Sequence, residues 1–170
     1  MTKAANLAAV GSNANSGGTL ITSGTAVAST SGTSIDFTGI PSWVKRITVM
    51  FAGVSTNGSS IIQVQIGAGS PTTTGYVGGA WTANTSNTTV TTGFPICAIN
   101  GAARTYNGVM TISSMGSNTW AEMNVTFDSS NNSNHGGSYV TLSGTLDRVR
   151  ITTVNGTDTF DAGSINILYE

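Results

Sequence analysis

"WVKRITVMFAGV" (residues 43–54) sends Trp43, Lys45, Ile47, Val49 and Phe51 to one face of an extended chain, and Val44, Arg46, Thr48, Met50 and Ala52 to the other. That alternation predicts a long strand with one mostly apolar face. "SSIIQVQIGAG" (59–69) repeats the pattern, with Ile62, Val64 and Ile66 opposite Ile61, Gln63 and Gln65. The join "STNGSS" (55–60) carries Asn57-Gly58, a strong hairpin signal, so the two strands are expected to pair. "NTWAEMNVTF" (118–127) reads as a strand with Ala121, Met123, Val125 and Phe127 inward and Trp120, Glu122, Asn124 and Thr126 outward. "NGVMTISSMGSN" (107–118) supplies its hairpin partner.

Near the end of the chain, "RVRITTV" (148–154) places Val149 and Ile151 inward and Arg148 and Arg150 outward. "SINILY" (164–169) puts Ile165, Ile167 and Tyr169 on one face. Asp147, Asp158 and Asp161 lie close to the two arginines in sequence, which predicts neutralisation across neighbouring strands. Weaker runs at 19–28, 34–38, 76–82, 88–96 and 139–142 bring the total to about ten strands, with no convincing helix after residue 10. Strands with one apolar face must cover one another across a core. The expected fold is therefore all-β, an antiparallel β-sandwich of jelly-roll type over residues 19–170, preceded by a short N-terminal arm or helix over 1–18. "IDFTGIPSWVKRIT" (35–48) and "VTLSGTLDRVRIT" (140–152) echo one another, each a strand, a glycine and then Arg-Ile-Thr, and both read as corners between strands.

The 170 residues suit one domain. Only 8% are charged, against about 25% in ordinary soluble domains, so the surface must be built from Ser, Thr, Asn and Gly. Net charge is −1 and the six basic residues are scattered, which leaves no stripe to follow a phosphate backbone; nucleic acid is not an expected partner. Cys97 is the one cysteine, which rules out an intrachain disulfide and reads as a small buried hydrophobe. The apolar stretch of the first residues is short and broken by Asn6, unlike a secretory signal, and no run reaches the length of a membrane span.

Candidate chemistry is sparse. His135, the one histidine, sits in "DSSNNSNHGGS" (128–138), which reads as a loop, and no Gly-x-Ser-x-Gly elbow frames a nucleophile. Asp158 and Asp161 in "NGTDTFDAG" (155–163) are hard oxygen donors that could touch a cation, without the acidic density of a calcium loop. With seven acidic residues in all, nothing sets the spacing of a carboxylate pair for glycoside cleavage, so no enzyme and no cofactor is expected. "GYVGGAWTANTSNTT" (75–89) sets aromatics among Gly, Asn and Thr, a chemistry suited to sugars or protein surfaces. Tyr76, Trp81, Asn84 and Asn87 are the candidate contact residues; the alternative is that Tyr76 and Trp81 cap the sandwich.

The blocks "GTSIDFTGIPSWVKRITVMFAGVSTNGSS" (32–60) and "LSGTLDRVRITTVNGTDTFDAGSINILYE" (142–170) resemble a domain at the C-terminal ends of tailed-bacteriophage fibre proteins and in small phage virion proteins. The resemblance covers residues 32–66 and 142–170 and leaves 70–138 unassigned. It implies a β-sandwich head on a homotrimer, with an N-terminal piece attached to other phage tail proteins. The opening "MTKAANLAAV" looks like the start of such proteins, although the long shaft is missing. The implied function is a short tail-fibre or tail-tip subunit in the virion, made in the host cytoplasm, that attaches to a host surface glycan or protein without catalysis. The alternative is a capsid cement or decoration protein bound to other capsid proteins.

Overall fold

A computed structural model describes residues 21–170. The arm expected over 1–18 lies outside the described residues. Fourteen strands follow in order: β1 (Thr22–Ser23), β2 (Val27–Ala28), β3 (Ser34–Thr38), β4 (Arg46–Thr56), β5 (Ile62–Ala68), β6 (Ser70–Pro71), β7 (Val77–Thr82), β8 (Ser86–Thr89), β9 (Phe94–Pro95), β10 (Tyr106–Gly116), β11 (Thr119–Asp128), β12 (Ser133–Thr141), β13 (Arg148–Thr153) and β14 (Phe160–Tyr169). No helix occurs among the described residues, and none there is long and apolar enough to cross a membrane.

The strands form two antiparallel sheets packed face to face. One has nine strands in the order β1-β14-β4-β10-β11-β12-β7-β8, with β2 also on β14. The other has five, in the order β3-β13-β5-β6, with β9 also on β5. The chain crosses repeatedly between them, giving a jelly-roll-like sandwich. Its core joins Ile47, Val49 and Phe51 of β4 and Ile165 and Ile167 of β14 to Ile62, Val64 and Ile66 of β5 and Val149 and Ile151 of β13. Inward and outward positions on β4, β13 and β14 fall as the alternation predicts. Before Arg46 the chain is not yet a strand, so Val44 is buried while Trp43 lies exposed against the Tyr169 ring, the reverse of the expected assignment.

β4 and β5 do not form a hairpin. β4 pairs with β10 and β14, whereas β5 pairs with β13, β6 and β9 in the opposite sheet. The physical reason lies in the join. Asn57 N donates to Thr159 O at 2.9 Å, Thr159 N to Asn57 Oδ1 at 2.9 Å, and Ser60 N to Asp158 Oδ2 at 2.9 Å. The connection is thus bonded to the loop ahead of β14, and β5 turns over to cover β4. The expected β10–β11 hairpin does form, through Ser117 and Asn118 at φ 49° and 59°, the twist that suits a two-residue hairpin turn.

Both echoed segments are crossings between sheets, β3 to β4 and β12 to β13, and Ile40 N donates to Asp147 O at 3.0 Å to tie the two corners together. Arg150 meets Asp36 on neighbouring β3 at 2.7 Å, and Arg148 meets its sequence neighbour Asp147 at 2.8 Å. Asp158 and Asp161 do not neutralise the arginines. Asp158 holds Ser60 and Asn155, and Asp161 accepts from Ser55. Arg46 pairs instead with Glu170.

Strand β11 runs opposite to expectation. Trp120, Glu122, Asn124 and Thr126 are buried, while Met123, Val125 and Phe127 face out. The nine-stranded sheet overhangs its narrower partner, and the segment 94–100 fills the gap beneath β7, β11 and β12. That segment presents backbone polar groups, which need hydrogen-bond partners once buried. Asn124 Nδ2 donates to Pro95 O and Thr126 Oγ1 to Ile96 O, both at 3.0 Å, and Thr82 Oγ1 accepts from Ala98 N at 3.0 Å. Polar side chains are therefore the ones that must point inward. Glu122 goes in with them. Burial pushes its carboxyl up to about 7, only partly offset by the hydrogen bond from Asn124.

Candidate binding face

The outer surface of β12, β7 and β8 gathers much of the aromatic-and-amide chemistry singled out in the sequence. His135 is directly opposite Trp81, and Trp81 directly opposite Asn87, so the three form one row across the sheet. His135 is a strand residue, not a loop residue: it lies on β12 between Trp81 and Val125 of β11. Its ring stacks with the Trp81 indole, centroids 6.4 Å apart and planes within 19°. Trp81 is 44% exposed, so the stacked pair forms a ledge open to solvent.

Two residues along the strands, Gly137 and Gly79 pair with each other, and Gly79 with Thr89. Lacking side chains, they make a floor beside the ledge. The next row, Tyr139 opposite Val77, lies beyond the floor and outside the trough lining. Beside the ledge runs an open trough of about 580 Å³, lined by Trp81, His135, Asn87, Thr89, Gly79 and Gly137. No charged residue lines it among the described residues. Its chemistry is that of a neutral ligand: a flat apolar ring face beside amide and hydroxyl groups.

Asn84 occupies the β7–β8 turn at φ 59°, exposed beside this surface but outside the trough lining. Tyr76 does not belong to the site. It is 1% exposed, its ring packs edge-on against Phe94 at 4.8 Å, and its hydroxyl accepts from Ile66 N at 2.9 Å and donates to Thr72 O at 3.1 Å. Burial raises its phenol well above the ordinary tyrosine range. Sequence reasoning missed His135 and Gly137 as parts of the site. The signal that pointed to a loop, a run of Ser, Asn and Gly, belongs to a strand whose glycines admit close neighbours.

The remaining reactive groups serve structure. Cys97 is buried and its thiol pushed up to about 11, chiefly by desolvation, so it is poorly suited to be a nucleophile. Both carboxylate oxygens of Asp158 are bonded to protein groups. Among the described residues, no three His, Cys, Asp or Glu side chains come together in a way that could hold a metal ion. The described residues thus form an all-β sandwich with an open, aromatic-edged trough on one outer face. No family model, curated protein or solved structure matches the chain.

Proposed function

We propose that the chain is a structural subunit of a bacteriophage particle, part of a homotrimeric short tail fibre or tail tip, that attaches to a host surface by binding alone. The observation that carries this reading is the uncharged, open trough with the Trp81–His135 ledge and Asn87 beside it. A neutral saccharide or a polar protein surface suits such a site, because the ring face supplies apolar area and the amide and hydroxyls supply direction. The segments that resemble phage fibre domains lie on β3 to β5 and β13 to β14, the crossing core of the sandwich. The trough lies in 77–137, outside those segments. A shared frame carrying its own binding surface is the arrangement expected of an attachment subunit.

Trp81→Ala removes the ledge and is expected to weaken binding to whole host cells roughly tenfold or more. Trp43→Ala, which removes an exposed tryptophan packed on Tyr169 away from the trough, is expected to leave cell binding unchanged. Equal binding by wild type and Trp81→Ala would sink the attachment role of this site. A capsid decoration role is the second reading, favoured by the exposed apolar side chains of β11. Gold-labelled antibody on intact particles separates the two: label at the tail end supports the fibre subunit, and label over the head supports the decoration protein.

A further inference from the structure

We propose that the outer face of β10 and β11 is the surface through which copies of this chain pack against one another. Val109, Met123, Val125 and Phe127 project there, and Met115 and Tyr139 flank them. Met123 is 63% exposed, Val125 52% and Phe127 51%. A solvated face of an antiparallel strand carries polar residues. On β11 Glu122, Asn124 and Thr126 point inward, Asn124 and Thr126 to hold the segment 94–100, so the outer positions from Ala121 to Phe127 are apolar.

Area and charge identify the occupant. The six side chains leave apolar surface on the order of 600 Å² in the open. A stable interface takes roughly 800 Å² from each partner, with about two-thirds of it apolar where copies of one chain meet, so this face supplies what a homo-oligomer needs. Its apolar centre carries no charged side chain among the described residues: Glu122 points inward, and Arg46, opposite Ser113 at one end of β10, is paired with Glu170. When copies of one chain meet, each charge faces its own kind or a fixed neighbour around the axis, and an uncharged face escapes that repulsion. Edge pairing is a poorer route to assembly, because the outermost described strands are short: β1 and β8 have two and four residues, and β3 and β6 of the other sheet five and two.

The inference shares with the functional reading above only the premise of several copies, and it does not need the trough. Light scattering during size exclusion is expected to give a closed oligomer for the wild-type chain at micromolar concentration. Val125→Lys or Tyr139→Lys places a charge in the apolar face and should weaken association about a hundredfold or more, giving the mass of one chain with an unchanged circular dichroism spectrum. Trp81→Ala is expected to keep the wild-type mass while losing cell binding, so the two readings fail separately. A second measurement needs no substitution: Met115 and Met123 should resist mild peroxide in the concentrated protein and oxidise readily on dilution. A wild-type chain that runs as a monomer throughout overturns the proposal. So does a folded lysine variant that keeps the wild-type mass, or oxidation of both methionines at one rate regardless of concentration.

Discussion

Glu122→Gln is expected to raise the stability of the protein by about 3 kcal/mol above neutral pH and to change it little in acid. The folded-state carboxyl stands near 7, against 4.5 for the free side chain, because it is 6% exposed beneath the sheet. The folded state therefore binds the proton more tightly than the unfolded chain does. Stability from this group is fully present below about 4.5, falls as pH rises towards 7, and is lost above that. The geometry explains the preference for the neutral form. Asn124 Nδ2 donates to Glu122 Oε1, but Glu122 Oε2, Asn124 Oδ1 and Ser138 Oγ have no partner among the described residues. A protonated Oε2 becomes a donor in a region with spare acceptors, whereas an ionised one adds a charge and a further unmet acceptor. Glutamine supplies an amide donor at the same place without titrating. Urea unfolding at acid, neutral and mildly alkaline pH is the measurement. Parallel pH profiles for wild type and variant would show that Glu122 does not carry the pH dependence.

How far the fold can be read from the chain depends on what each signal measures. Period-two alternation reports that a strand has two unlike faces, and it located β4, β10, β11, β13 and β14. It does not report which sheet a strand joins. Ile47, Val49 and Phe51 on β4 and Ile62, Val64 and Ile66 on β5 would read the same whether the strands paired side by side or faced each other across the core. Asn57-Gly58 favoured pairing, and the hydrogen bonds that decide otherwise come from Asp158 and Thr159, a hundred residues on. On β11 the alternation was visible but its sense was not. Apolar-in holds where the covering layer is apolar, and here the cover is the backbone of residues 95–98. The binding surface was half legible for a related reason. Trp81 and Asn87 could be picked out as aromatic and amide among small residues, but their alignment with His135 depends on the register of β7 against both β8 and β12. Tyr76 has the same local composition as Trp81, and one step of strand geometry sends it to the core.

Gly163→Ala is expected to cost about 4 kcal/mol or more, enough to unfold much of the protein near physiological temperature, as followed by thermal melting. Gly163 adopts φ +90°, a conformation that alanine takes only with strain, and a Cβ there would stand 2.4 Å from the backbone carbon and oxygen of Gly53. The two glycines face each other where the β4–β14 register shifts, between Ala162 and Ser164. This is the pair of strands through which Phe51, Ile165 and Ile167 reach the core, so neither backbone can retreat without dragging core side chains along. Gly137→Ala provides the contrast within the same sheet. Its Cβ would find nothing nearer than 3.9 Å, from Glu122 O, so a melting temperature close to wild type is expected. If both variants melt alike, close approach at Gly53 and Gly163 is not what fixes the bulge. If only Gly163→Ala collapses, the glycine in the frame is there for backbone contact, and the glycine in the trough floor is free to accept larger side chains that narrow the site without disturbing the fold.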